Sequence, residues 1–406
     1  MQHQRSNLII LFFLMVVVMI GFGMIIPIMP FYVESMGANA KQLGMLMAVF
    51  SIMQFLFAPV WGSISDRIGR KPVLLIGAFG NFLTQLLMGF STQYWMLFAS
   101  RGLAGILSSA TLPTAMAFIS DSTDAKRRSG GMGIVGAAMG VGMVLGPGLG
   151  GWFGSTNLSA PFFLAAALSA VAVILIAIFL PESLPVAERA KNAHNRLKGP
   201  QITAMWRELR GPLGFLLFLA FLINFALANF EGIFSLYAKH RYEYTASDVG
   251  TIMTVIGLVS ALVQGVATGP ATRRFGEGLV IKVSLIGSAV GFVLMLLANN
   301  YFTVLLTVGL FVTANAMLRP AIASVMSKQA EGGQGMAMGL NNAFQSLGRT
   351  AGPLWAGALF DINIVFPYLS AAIILFGTYL YSLRVPRERL DPQNPLEEQI
   401  IPVSTD

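Results

Sequence analysis

The chain has 406 residues, of which 55% are hydrophobic and only 11% charged, and its mean hydropathy is +0.70. Soluble domains carry about 25% charged residues, so neither a soluble enzyme nor a nucleic-acid-binding domain fits, and the formal charge of +8 needs another explanation. With no cysteine and three scattered histidines (His3, His194 and His240), no disulfide, thiolate chemistry or metal-ligand spacing is on offer.

Apolar stretches of ~20 residues recur, the length that crosses a bilayer core. Only helices and closed barrels satisfy their own backbone there. The first stretch is too long for a signal-peptide core and lacks a small-residue cleavage site, so it reads as a span. Twelve segments follow in order: 8–31, 43–63, 72–91, 94–118, 131–153, 161–180, 213–237, 248–269, 276–298, 301–320, 334–359 and 363–383. The expected fold class is an all-α polytopic membrane protein.

The Lys and Arg residues orient it. With the N-terminus inside, Lys41, Lys239 and Arg241 lie outside and Arg101, Arg319 and Arg349 lie within segments. About twenty of the 26 fall on the inner side, the positive-inside bias. Both termini are then cytoplasmic.

Between segments 2 and 3 stands Gly62-Ser-Ile-Ser-Asp66-Arg67-Ile-Gly69-Arg70-Lys71. A charged turn this short, between membrane helices, has to find partners for its charges. Asp66 can accept charge-assisted hydrogen bonds from nearby arginines or a helix N-terminus. We expect a cytoplasmic latch that breaks during transport; the plain alternative is a positive-inside anchor.

Arg101 lies about two turns into segment 4, on one face with Gly105 and Ser108. A charge at that depth is a functional candidate by default, against a purely structural arginine paired to carbonyls. Segment 5 holds Gly142, Gly146, Pro147, Gly150 and Gly151. Such a small face allows close helix approach and suggests a hinge or seal between halves, with ordinary tight packing as the alternative.

The polar stretch 182–212 contains Arg189, Lys191, Arg196, Lys198, Arg207 and Arg210, and reads as a linker over an anionic leaflet. It separates residues 1–181, an N-terminal six-helix bundle, from residues 213–385, a C-terminal one; residues 386–406 form a cytoplasmic tail.

In segment 7, Glu231 is the one acidic residue expected deep in a helix. Asn224 and Ser235 fall near its face, with Phe230 and Phe234 beside them. A carboxyl held in an apolar cavity binds its proton more tightly and loads it near neutral pH. Arg319 near the inner end of segment 10 reads as a snorkelling residue. In segment 11, Arg349 shares a face with Asn342 and Gln345 at a depth like that of Glu231. A Glu231–Arg349 pair is one possibility; a structural ion pair with a buried arginine is the plain reading of Glu231.

The halves repeat. Gly62–Gly69 matches Gly269–Gly276 and Leu112-Pro113 matches Arg319-Pro320, both at an offset of 207. Gly142-x3-Gly146-Pro147 matches Gly348-x3-Gly352-Pro353 at 206. Repeated six-helix units put a substrate path near the midplane. The second loop carries Arg273 where the first has Asp66, so it is expected to be mainly a basic anchor. The chain offers no P-loop, which leaves an ion gradient as the energy source. Its abundant Phe and Met suit bulky apolar substrates.

These motifs together resemble the twelve-helix drug:proton antiporters of the major facilitator superfamily. Gly62–Lys71 is similar to that superfamily's loop 2–3 signature. Arg101-x3-Gly105 is similar to its helix 4 motif, and Gly142-x3-Gly146-Pro147-x2-Gly150-Gly151 to the helix 5 antiporter signature. Pro181-Glu182-Ser183 after segment 6 is also typical. The surroundings of Phe230-Glu231 and of Leu318-Arg319-Pro320 resemble bacterial multidrug and quinolone efflux pumps, in which a glutamate at the position of Glu231 couples protons. Similar pumps carry a second carboxylate where this chain has Ala316 and a neutral residue in place of Arg349, so Glu231 would work with Arg101 or Arg349.

The resemblance implies a proton-driven exporter of small apolar drugs in the bacterial plasma membrane. It implies no cofactor beyond the gradient, no nucleic-acid partner, lipids around it and a monomeric state. A narrow exporter of one antibiotic class, sugar or metabolite, and a non-transporting sensor, stand as alternatives.

Overall fold

The structure, a computed structural model, describes residues 2–123, 125–192, 199, 202–211, 213–329, 334–386, 390 and 391, and has no strand among them. Of the residues singled out above, His194, Arg196, Lys198 and the tail from 392 lie outside the described residues. Twelve long helices coincide with the twelve expected segments. In the first half they are α1 Gln2–Ser35, α2 Ala40–Ile68, α3 Arg70–Gly89, α4 Tyr94–Ser122, α5 Ala125–Gly154 and α6 Ala160–Phe179. In the second they are α7 Gly214–Tyr242, α8 Ala246–Phe275, α9 Glu277–Leu297, α10 Tyr301–Lys328, α11 Gln334–Phe360 and α12 Phe366–Arg384. Short helices Val186–Asn192 and Ile202–Leu209 lie between α6 and α7.

Eleven of these helices are long and apolar enough to cross a membrane; α11, of 27 residues, is the exception. It carries Asn341, Asn342, Gln345 and Arg349. A spanning helix that turns such groups toward protein or a wet cavity does not need a uniformly apolar surface.

Two helices depart from α geometry. Pro113 brings no N–H, and its ring crowds the carbonyl four residues back. Next to it, α4 tightens to a 3-10 turn over Ser108–Ala110. The Ile106 carbonyl there accepts Trp61 Nε1–H at 2.6 Å and the Ser109 hydroxyl at 2.7 Å. In α8 a π turn spans Val263–Ala267, and Thr268 Oγ1 donates to the Val263 carbonyl at 2.9 Å.

By packing, the chain forms two compact units whose borders run through helices. The first is Met1–Pro200 with Ala228–Leu258 and Arg349–Pro367; the second is Gln201–Leu227, Val259–Gly348 and Tyr368–Asp406. The first unit therefore joins α1–α6 to the later part of α7, the earlier part of α8 and the later part of α11.

In the first unit, Leu14, Met15, Leu74, Phe118, Val135, Ala172 and Ile176 meet between α1, α3, α4, α5 and α6, all buried. Lipid tails are as apolar as these side chains, so association rests on close packing. Gly142, Gly146 and Gly150 supply it. A Cβ added at Gly146 would lie 2.8 Å from the Gly23 Cα, and one at Gly150 would lie 2.6 Å from the Met24 carbonyl oxygen. The second unit repeats the device. A Cβ at Gly348 of α11 would come within 2.8 Å of the Phe225 nitrogen of α7. Phe292 and Phe311 stack α9 on α10 with ring centroids 4.4 Å apart.

Candidate functional site

The α2–α3 loop turns on Gly69, whose φ of 109° lies in the region that favours glycine. A Cβ there would run into the Glu182 carboxylate. That carboxylate caps α3 from a distance of 112 residues, accepting the Arg70 N–H at 2.8 Å and, across 111 residues, the Lys71 N–H at 3.2 Å. It also accepts the Ser183 and Leu184 N–H groups, each at 3.0 Å.

Arg70 is buried, and its guanidinium reaches three partners: Asp66 at 2.6 Å, Asp121 at 2.8 Å and Ser65 Oγ at 2.7 Å. Lys71 Nζ donates to the Ala177 carbonyl at 2.9 Å, tying α3 to α6. Arg67 is half-buried, and Gly62 faces open space. Asp66 thus meets Arg70, as its spacing suggests. Asp121, the second carboxylate on the guanidinium, carried no sequence signal.

The second loop is built on the same plan. Gly276 has φ 79°, and a Cβ there would lie 2.7 Å from the Asp391 carboxylate, which accepts the Gly278 N–H at 3.2 Å. Arg273 is exposed. Acidity absent from the Arg273 position returns one residue past the loop glycine. Glu277 pairs with Lys328 at 2.6 Å and accepts the Ser324 hydroxyl at 2.9 Å. Beyond a basic anchor, this loop therefore holds carboxylates of its own.

Arg101 is 3% exposed. Its Nη2 donates only to the Met47 sulfur at 3.6 Å, and its Nε has no partner. The guanidinium lies 4.5 Å from the Phe50 ring centroid and 6.0 Å from that of Phe22. Among the described residues no carboxylate pairs with it. Gly105 brings α4 against α2, where an added Cβ would sit 2.6 Å from the Phe50 carbonyl oxygen. Cation–π contacts contribute about 0.5–2 kcal/mol, less than the several kcal/mol that removing an ion from water costs. The site is chemically incomplete and suits an anionic or electron-rich group.

Glu231 is half-buried on α7, beside fully buried Asn229, neither of whose amide atoms has a partner. Ser235, one turn on, is fully buried and its hydroxyl is likewise unpaired. Arg349 and Gln345 are half-buried and Asn342 is exposed. Arg101, Glu231 and Arg349 belong to the first unit; Asn224, Asn342 and Gln345 belong to the second. Asn224 is engaged there. Its Oδ1 accepts Arg319 Nη2–H at 2.7 Å and its Nδ2 donates to the Ala220 carbonyl at 3.0 Å. Half-buried Arg319 thus turns to protein, where snorkelling had been expected of it.

The helix 5 motif divides. Gly142, Gly146 and Gly150 face α1 of their own half, Gly151 faces α8, and Pro147 stands between them, its ring toward Gly23 of α1 and its carbonyl toward α8. A Cβ added at Gly250 would lie 2.6 Å from the Gly151 Cα and 2.7 Å from the Pro147 carbonyl oxygen. Trp152 Nε1 donates to Thr251 Oγ1 at 3.2 Å beside this contact.

In the first unit, two carboxylates that belong to no sequence motif join α1 and α2 to α7 and the end of α11. Asp361, just after α11, accepts the Ala40 N–H on Oδ1 and the Lys41 N–H on Oδ2, both at 3.1 Å. A helix starts with four unpaired amides around its first turn. Here all are accounted for, because Asn39 and Gln42 form a reciprocal capping box at 2.9 Å. Glu34, at the end of α1, pairs with Lys239 at 2.6 Å and meets His240 Nε2 at 3.2 Å. Beside it, Phe31, Ser155, Lys239, Glu243 and Tyr244 line a cavity of about 560 Å³.

Twelve long helices with echoing loops, glycine seams and buried charges define a polytopic membrane protein. A family model described as Major Facilitator Superfamily matches residues 11–263 and again 216–405. Multidrug resistance protein 2 of Bacillus subtilis (strain 168) is 32% identical over 374 residues, 92% of this chain and 93% of that protein. Quinolone resistance protein NorA of Staphylococcus aureus (strain COL) is 28% identical over 96% of this chain and 100% of its own length. A solved bacterial homologue of the human lysosomal transporter Spinster, inward-facing and occupied, shares the fold with a TM-score of 0.77 at 11% identity, covering 96% of this chain and 98% of that one. The chain belongs to the major facilitator superfamily and to its drug-efflux family.

Proposed function

We propose that the protein exports small, fairly apolar compounds from the bacterial cytoplasm in exchange for protons moving inward. One observation carries the reading: a fully buried arginine beneath two phenylalanines, without a carboxylate of its own, in a chain akin to efflux proteins over nine-tenths of its length. Such a site supports an electron-rich or aromatic guest.

In the cycle, substrate enters from inside while Glu231 is ionised. Protonation from outside displaces it, and the proton leaves inward. With Ala316 in place of a second carboxylate, Arg101 and Arg349 supply the charges that tune Glu231. Both termini are cytoplasmic, so the Asp66–Arg70–Asp121 network is an inner latch, and the Asp361 and Glu34 contacts close the outer end. Pro147 and Gly151 serve the contact between the two six-helix bundles, 1–181 and 213–385. The protein works as a monomer with no resident cofactor.

The test is dye efflux and proton flux in proteoliposomes across a panel of unrelated compounds. Glu231→Gln should insert normally yet lose proton-driven efflux; full gradient-driven transport by that variant would sink the coupling role. Transport of one compound class only would favour the narrow exporter.

A further inference from the structure

The helix Ile202–Leu209, five residues before α7, has two apolar stripes where packing needs one. Met205 is buried. One turn apart on another face, Ile202 is 54% and Trp206 64% exposed. Thr203, Arg207 and Arg210 are also exposed. The helix is held against the first residue of a spanning helix. The Leu209 carbonyl packs on Gly214, the first residue of spanning helix α7, so tightly that a Cβ there would collide with it. Phe215 of α7 meets Tyr381 of α12 at 5.4 Å, which brings exposed Arg384 to the same rim.

An isoleucine and a tryptophan held at the edge of a bilayer-spanning helix gain nothing from facing water. Tryptophan concentrates at this boundary, its ring among acyl chains and its N–H among headgroups. A short amphipathic helix with basic flanks lies in the plane of the interface. We propose that Ile202–Leu209 is an interfacial anchor. Ile202 and Trp206 insert at the acyl–headgroup boundary, and Arg207, Arg210 and Arg384 engage anionic phospholipid headgroups. Arg207 also touches Glu208, at 3.1 Å, so Arg210 and Arg384 bring the surplus charge.

The chain has no cysteine, so single spin labels can be placed in the full-length protein without background. Ile202→Cys, Thr203→Cys, Trp206→Cys and Arg207→Cys are labelled one at a time in vesicles containing phosphatidylglycerol. Collision with lipid-soluble oxygen and with a water-soluble nickel chelate is then measured. Labels at 202 and 206 should favour oxygen, and labels at 203 and 207 the chelate. Equal chelate access at all four positions would overturn the proposal, because the helix would then stand in water. Protection of 202 and 206 from both reagents would also overturn it, because a protein surface would cover the face.

With the label at 202, which leaves Trp206 intact, replacing phosphatidylglycerol by phosphatidylcholine should raise chelate access about thirty-fold, the attraction of roughly two arginines for an anionic surface. Arg210→Gln should raise it about five-fold in phosphatidylglycerol, the share of one arginine. If neither changes the reading, anionic headgroups are not what the helix binds.

Discussion

Asp361→Asn tests the proposed outer lock with almost no change of shape. The carboxylate takes the Ala40 and Lys41 amides on separate oxygens, both at 3.1 Å. The amide keeps one acceptor and turns an NH2 group toward the other N–H. A charge at a helix N-terminus contributes about 0.3–1 kcal/mol, and a lost cap costs about 1 kcal/mol. Asp361 is exposed, so the fuller values for buried charge-assisted bonds do not apply. About 1.5 kcal/mol in all moves the open-to-closed ratio at this end roughly ten-fold. Labels at Met45→Cys and Ile362→Cys, both at exposed positions, would report it by electron-spin distance measurement. A longer distance should gain population in Asp361→Asn. Glu34→Gln should add its own increment, since the two contacts share no partner. If Asp361→Asn left the distances unchanged while Glu34→Gln shifted them, the aspartate would be an ordinary surface cap and the reasoning would fail.

Other perturbations bear on the remaining sites. Arg70→Lys should destabilise the detergent-solubilised protein nearly as much as Arg70→Gln, by about 2–4 kcal/mol, because an ammonium cannot span Asp66, Asp121 and Ser65 at once. Most of that loss should trace to Asp121, since Asp66 is 48% exposed and screened; thermal unfolding of the single and double variants measures it. Gly151→Leu should insert but fail to transport, because no side chain fits between Gly151 and Gly250, whereas Gly133→Leu, with open space beside it, should transport normally. Arg101→Gln should raise thermal stability by about 1–3 kcal/mol while abolishing efflux, since it removes an uncompensated buried charge; a fall in stability would mark the arginine as structural.

Much of this was legible in the chain because membrane helices announce themselves. The apolar runs delimited twelve spans, even α11 with its polar face, and the offset of 207 exposed the repeat. Partners were far less legible. Arg70 stood out, but Asp121 and Glu182 lie 51 and 112 residues away in sequence, and nothing in an isolated acid says which loop it will reach. The helix 5 glycines declared a small face, yet six glycines within twelve residues cover more than one face, and only packing decides which meets α1 and which α8. Glu34 and Asp361 belong to no motif. Arg101 was conspicuous as a charge, but its lack of an acid partner is a property of the fold.

The carboxylate caps on the two loops also set an order of assembly. The acceptor for the Arg70 N–H is made 112 residues after it, and that for the Gly278 N–H 113 residues after it. At synthesis rates of about 5–20 residues per second, each loop waits roughly ten seconds for its acid. In each half that acid arrives only after the last helix of the half has been made. Glu182 and Asp391 therefore act as closing stitches in biogenesis: a ribosome that stalls early leaves a loop whose first amides only water can hold, and a quality-control protease has an open end to find.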